Sequence, residues 1–289
     1  MKIGVIGAGA MGSGIAQAFA QCEGFEVSLC DIKPEWAAGG KAKIASALGK
    51  RVSRGKMTQE AADVILNRIT TGLKEDICQD CDLIVEAAFE DLGVKQKTFG
   101  ELDAICKPEC VFTSNTSSLS ITAIAKNIKH PVVGMHFFNP APVMKLVEVI
   151  AGVNSPAEAV QTVKEIASKI NKTPVEVTEA AGFIVNRILI PEINEAAFIK
   201  MEGVATIADI DAAMKLGANV PMGPLELGDY IGLDIVVAIM DVMFNNTHDA
   251  KYRCCPLLRK MVFGGRLGVK SGKGFYDYAN GGKVATDAQ

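Results

Sequence analysis

The chain has 289 residues, 49% of them hydrophobic and 22% charged, so one large domain or two unequal ones of about 100–200 residues each can form a core without disulfides or structural metal. A net charge of -3 and an aromatic content of 6% supply neither the basic field nor the stacking surfaces of a nucleic-acid binder. No apolar run approaches the roughly 18 residues of a membrane span, and the most apolar late stretch, 231–244, is interrupted by Asp234 and Asp241.

In chain order, Lys2 to Ile6 reads as a strand and Met11 to Gln21 as a helix. The uncharged stretch after Lys2 superficially resembles an export signal. Its interior is rich in Gly rather than Leu, and Gln21 precedes Cys22, so a cytoplasmic protein is expected. Glu26 to Cys30 reads as a second strand, Pro34 to Arg54 as a long helix, and Thr58 to Arg68 as another helix with Thr58 as N-cap. Leu83 to Glu86 and Val111 to Thr113 read as buried strands, with a helix from Val94 to Cys106 between them. Val132 to Phe137, Lys145 to Ile150 and Pro174 to Val177 complete the strands; Ser155, with Pro156 at the first helical position, opens a helix to about Ile170. Strands alternating with helices imply a doubly wound, mostly parallel sheet.

From Phe183 onward helical periodicity dominates, in 184–201, 207–215 and 229–244, with a Gly-Pro-rich connection at Pro221 to Pro224. The expected organisation is an α/β nucleotide-binding domain over 1–184 and a smaller all-helical domain over 185–289. The eight cysteines include Cys78-x-x-Cys81 and Cys106-x-x-x-Cys110. Each pair precedes a strand and has no nearby His, so reduced thiols are expected and no metal site.

Gly7-x-Gly9-x-x-Gly12, with Met11 inside the turn, follows the first strand and opens the first helix. Gly7 permits the tight turn, Gly9 the approach of a pyrophosphate, and Gly12 close helix–strand packing. The helix N-terminus supplies free N–H groups and a positive dipole. Asp31, at the end of the second strand, is placed to accept from ribose hydroxyls and to repel a 2′-phosphate, so a Rossmann-type domain binding NAD rather than NADP is expected. Lys33, two residues on, weakens that preference.

His130, His136 and His248 are the only histidines. His130 precedes Pro131 in a loop and His248 lies in a polar segment, so both read as surface residues. His136 lies near the end of the apolar run Val132 to Phe138, and Glu148 interrupts the apolar run Leu146 to Ile150. A carboxylate in such a run is costly unless paired. Bonded to one ring nitrogen it would fix the tautomer and raise the basicity of the other, the arrangement of an oriented general base. A purely structural ion pair is the alternative.

The segments Gly7 to Gly12, Ser114 to Leu119, His136 to Pro140, Met144 to Val149, Gly182 to Arg187, Pro221 to Leu227 and Ser271 to Tyr276 resemble the 3-hydroxyacyl-CoA dehydrogenase family, closest to its bacterial members acting on 3-hydroxybutyryl-CoA. The likeness runs from residue 1 to about Tyr278. It implies NAD-dependent interconversion of a 3-hydroxyacyl-CoA, with four carbons favoured, and the matching 3-oxoacyl-CoA. It also implies His136 as acid/base, Glu148 as its partner, and Ser117 and Asn186 as residues holding the substrate's reacting oxygen. Asn139 would orient the histidine beside the cofactor, with Glu90, Lys95 and Asn115 near the nicotinamide end. From the residues alone, Ser117 reads equally as a turn or N-cap serine and Asn186 as an interhelical contact. Ala181 stands where the family usually has proline, and 126–131 is slightly shorter than in relatives.

From Trp36 to Gln59 there is no acidic residue, while Lys43, Lys50 and Arg54 fall on one helical stripe. That stripe is either a solvated face or, as the resemblance favours, a site for the phosphates of CoA. A dehydrogenase of a small free hydroxy acid would have no use for it. A non-catalytic NAD-binding protein would have no use for the His136 set. The late apolar helices, 225–244 especially, imply a homodimer through the second domain, as in relatives.

Overall fold

The computed structural model describes residues 1–286. They fold as two compact units, the first spanning Met1–Ala180 and the second beginning at Ala181. That division falls slightly upstream of residue 185 because Ala181 already packs against the helical core of the second unit.

The first unit runs β1 (Lys2–Ile6), α1 (Ala10–Ala20), β2 (Glu26–Cys30), α2 (Pro34–Ser53), α3 (Gln59–Asn67), β3 (Ile69–Gly72), α4 (Lys74–Ile77), β4 (Leu83–Glu86), α5 (Leu92–Asp103), β5 (Val111–Ser114), α6 (Ile121–Ile124), β6 (Val132–Phe137), β7 (Leu146–Ala151), α7 (Ala157–Lys169) and β8 (Thr173–Thr178). Its strands make one sheet in the order β3-β2-β1-β4-β5-β6-β7-β8. Every neighbouring pair is parallel except β6 and β7. β4 and β6 are buried along their whole length, which is why they read as near-continuous apolar runs rather than alternating ones. The chain leaves β1 to the β2 side and returns on the β4 side, so the end of β1 is the topological switch point where such sheets bind ligands.

Local chemistry sets several boundaries. Thr58 caps α3 by accepting from the Ala61 amide, as its sequence position predicts. The helix expected from Ser155 starts instead at Ala157, with Pro156 as its cap. Ser155 is engaged elsewhere: its hydroxyl donates to the Val132 carbonyl at 2.6 Å and accepts from the Gly152 amide at 3.0 Å. β3 has no counterpart in the sequence-based strand list. The surface reading of His130 is overturned: its side chain is only 7% exposed, with Nδ1 2.6 Å from Asp103 Oδ1 and the ring stacked on Phe112 at 4.3 Å.

The second unit contains α8 (Val185–Met201), α9 (Ile207–Gly217), α10 (Pro224–Ile231), α11 (Leu233–Thr247), α12 (Pro256–Phe263) and a short antiparallel pair, β9 (Tyr276–Asp277) with β10 (Val284–Ala285). The single helix expected over 229–244 is two, because Gly232 adopts φ 105°, a left-handed conformation that ends one helix and opens the next.

Two buried aspartates organise this unit. Asp211 accepts from the Leu225 and Glu226 amides at the start of α10 and from the Tyr276 hydroxyl. Asp229, fully buried, accepts from the Phe275 and Tyr276 amides and the Tyr278 hydroxyl. Burial pushes the Asp229 carboxyl up from 3.8 to about 6, against those bonds. The folded state therefore takes up a proton between the two values, so this group's contribution to stability is fullest below about 4 and falls as pH rises towards 6. Asp229→Asn is expected to cost about 2 kcal/mol at pH 4, from buried donors left poorly matched, and the gap to the parent should narrow by pH 7. Denaturant titration at both values reads it; a gap that widens with pH would contradict this account.

Candidate active site

Gly7 leaves β1 with φ 99°, and a Cβ added there would lie 2.6 Å from the Ala87 carbonyl oxygen. A Cβ on Gly12 would lie 1.7 Å from the carbonyl oxygen of Gly7. The turn and the start of α1 therefore close only with glycine at both positions. At Gly9 the opposite holds: a Cβ would meet nothing within 4 Å. Gly9 is the N-cap of α1, so the amides of the first turn, Met11 among them, have no partner within the helix. Space, free N–H groups and the helix dipole fit a pyrophosphate.

Asp31 follows β2. Its Oδ2 accepts from the Ala8 amide at 2.7 Å and its Oδ1 from the Ile32 amide at 2.8 Å. This holds the carboxylate beside the glycine turn with lone pairs to spare for ribose hydroxyls. Lys33 lies with its amine 5.0 Å over the Trp36 ring. Together these groups fit the adenosine and phosphate parts of NAD.

At the ends of β4 and β5, a polar network follows. Lys95, on α5, is 1% exposed. Its amine lies 2.8 Å from Glu86 Oε1 and 3.2 Å from Glu90 Oε2. Glu90 Oε1 accepts from the Thr116 hydroxyl at 2.6 Å, the Ser117 amide at 3.0 Å and the Ser118 hydroxyl at 3.1 Å. Burial pushes the Glu90 carboxyl up, but the Lys95 charge and these bonds outweigh it and hold it below the usual range. Asn115 accepts from the Phe137 amide through Oδ1 at 2.8 Å, which ties this loop to the strand carrying the histidine.

The antiparallel register of β6 and β7 sets His136 opposite Glu148, on one face of the sheet. His136 Nδ1 is 2.8 Å from Glu148 Oε2, both residues buried. With Nδ1 carrying the proton donated to Glu148, Nε2 is the basic nitrogen. Asn139 lies exposed just beyond β6. Lys50, in the last turn of α2, and Arg54, its C-cap, are both exposed. Lys41 of the same basic stretch is engaged with the Ile69 carbonyl at 2.6 Å. Asn186 is the second residue of α8, in the second unit.

Sequence reasoning passes over Glu86. The signal is there: a carboxylate closing the apolar run Leu83 to Glu86 poses the question that Glu148 poses in β7. Among the described residues, no group of three or more His, Cys, Asp or Glu could hold a metal ion.

A glycine turn with a carboxylate beside it at the switch point, and a buried imidazole–carboxylate pair on the same sheet, are the arrangement of a dinucleotide-binding oxidoreductase. The sequence model of the 3-hydroxyacyl-CoA dehydrogenase NAD binding domain matches residues 2–180, and that of the same family's C-terminal domain matches 182–278. The chain belongs to the 3-hydroxyacyl-CoA dehydrogenase family, and its cofactor is NAD. It is 50% identical over 280 residues to a 3-hydroxybutyryl-CoA dehydrogenase of Clostridioides difficile, covering 96% of this chain and 99% of that one. To one of Bradyrhizobium diazoefficiens it is 47% identical over 287 residues, covering 99% and 98%. The crystal structure of (S)-3-hydroxybutyryl-CoA dehydrogenase from Ralstonia eutropha is similar with a TM-score of 0.91 at 41% identity, over 96% of this chain and 99% of that one.

Proposed function

We propose that the chain interconverts (S)-3-hydroxybutyryl-CoA and acetoacetyl-CoA with NAD, His136 being the general acid/base. The observation that carries the mechanism is the His136–Glu148 bond of 2.8 Å in a buried setting. NAD, which the glycine turn and Asp31 would hold, would supply the hydride chemistry at C3 of the substrate when bound. In oxidation His136 Nε2 removes the proton of the 3-hydroxyl; in reduction the protonated ring returns it to the developing alkoxide. Glu148 holds the ring and offsets its positive charge when protonated. Ser117 donates to the same oxygen, stabilising charge as it develops. Asn186 is assigned the same task on the family pattern alone. The test is NADH oxidation with acetoacetyl-CoA; an inactive parent overturns the reading.

Lys50 and Arg54 are proposed to hold the phosphates of CoA, because both are exposed on a helix end free of acidic residues. The double variant Lys50→Ala with Arg54→Ala is expected to raise KM for acetoacetyl-CoA by about tenfold at low salt, less at high salt, with kcat nearly unchanged. A salt-independent KM would remove these residues from the site.

A homodimer through the second unit belongs to the same proposal. Large apolar side chains stand exposed there, among them Ile188, Val204, Leu216, Tyr230 and Phe263, surface that a second copy would cover. Light scattering giving a monomer mass would overturn it. No helix among the described residues is long and apolar enough to cross a membrane. A cytoplasmic location is proposed on the cysteine usage, since all eight are free thiols.

A further inference from the structure

Glu86 has no place in the mechanism above, yet it is 0% exposed and both its carboxylate oxygens are bonded. Its Oε1 accepts from the Ala88 amide at 2.7 Å and lies 2.8 Å from the Lys95 amine; its Oε2 accepts from the Ser114 hydroxyl at 2.7 Å and lies 3.0 Å from the same amine. Its backbone carbonyl accepts from the Asn115 amide at 2.8 Å. In the sheet it is in register with Ile6, immediately before the glycine turn, and with Ser114, immediately before Asn115.

A fully buried carboxylate survives only with its acceptor sites filled. Here they are filled by groups from three separate segments. Lys95 is the joint: its amine also meets Glu90 Oε2 at 3.2 Å, and Glu90 in turn holds the turn from Thr116 to Ser118. Two carboxylates share one ammonium. If Glu86 loses its charge, Lys95 is drawn wholly to Glu90, and the Glu90 oxygens turn away from the donors of 116–118.

We infer that Glu86 is a positioning residue, which through Lys95 fixes Glu90 and hence the turn that presents Ser117 to the substrate oxygen. The inference rests on the reaction proposed above. Its effect is on geometry in the reacting complex, so it should appear in kcat rather than in capture of acyl-CoA. An error of a fraction of an ångström in a residue that stabilises developing charge is enough to be felt.

The test is a double-mutant cycle of E86Q and K95M, reading kcat, KM for acetoacetyl-CoA, NADH affinity by fluorescence, and thermal melting. E86Q is nearly isosteric. It is expected to lower kcat by about tenfold to a hundredfold, with KM for acetoacetyl-CoA changed by less than about threefold. The E86Q/K95M double variant should be no slower than K95M alone, because Glu86 acts through Lys95. Multiplicative losses would overturn the inference, as would an E86Q that melts earlier but turns over at the parental kcat. Should E86Q not fold, S114A carries the test: it removes one donor to Glu86 and should lower kcat by a smaller factor at unchanged KM, and an unchanged kcat overturns the inference. A parent inactive with acetoacetyl-CoA defeats the proposed reaction instead. The same cycle read in NADH affinity, where E86Q and K95M must again be non-additive, then decides on Glu86.

Discussion

His136→Ala is expected to lower kcat for NADH-dependent reduction of acetoacetyl-CoA by about a thousandfold, the usual worth of a positioned general acid/base. NADH affinity should stay within about twofold of the parent, since the contribution of the glycine turn and Asp31 is untouched. His136 and Glu148 are Cα partners across an antiparallel pair, so the ring cannot reach Glu148 without both strands being in place. Glu148→Gln keeps the shape of the partner and an acceptor for Nδ1–H but loses the charge that offsets an imidazolium. Its expected loss in kcat is smaller, about tenfold to a hundredfold. The double variant should lose no more than His136→Ala alone, because without the ring Glu148 has no catalytic task. Removing the ring also deprives a buried carboxylate of a bond, so His136→Ala should melt earlier than the parent. Rates are therefore compared per folded molecule. Reduction within tenfold of the parent in the folded variant would show that another group moves the proton.

The dyad is legible in the sequence because it breaks a pattern. Val132 to Phe138 and Leu146 to Ile150 are apolar except at His136 and Glu148, and the short connection between them allows an antiparallel pair. The glycine turn is legible for a similar reason, since its spacing follows from backbone geometry. Glu86 and Lys95 are less so. Lys95 is marked in the sequence only by the family resemblance, and its burial is decided by carboxylates on β4 and in the loop that follows it. His130 misleads because a residue before proline in a polar stretch gives no hint that Asp103 and Phe112 wait beneath it. β3 escapes because Ile69-Thr-Thr-Gly72 is a short edge strand with one apolar residue. The break between α10 and α11 escapes because apolar periodicity runs straight across Gly232; only the backbone conformation there separates them.

Asp31→Ala is expected to lower the NADH-to-NADPH ratio of kcat/KM by about a hundredfold or more. Two effects act in the same direction. The carboxylate is held by the Ala8 and Ile32 amides, which leaves it lone pairs that would accept from the ribose hydroxyls. Losing two bonds to a charged acceptor, each worth about 1.5 kcal/mol or more, raises KM for NADH by about a hundredfold. Its charge also opposes a 2′-phosphate, and removing it improves NADPH. Lys33, two residues away and resting over Trp36, is then the nearest cation for that phosphate, so Asp31→Ala with Lys33→Ala should forfeit part of the NADPH gain. Asp31→Asn separates the causes: it keeps an acceptor but not the repulsion, so NADPH should improve nearly as much while NADH suffers less. Initial rates with both cofactors across the three variants read each contribution. A ratio unchanged in Asp31→Ala would mean that the preference for NAD is set elsewhere than at the end of β2. The amides of Ala8 and Ile32 add a further effect. Asp31→Ala takes the acceptor from both amides, and Asp31→Asn from one of them, since its Oδ1 can serve only one while Nδ2 faces the other; the turn loosens in both variants, more in Asp31→Ala, and offsets a small part of the NADPH gain.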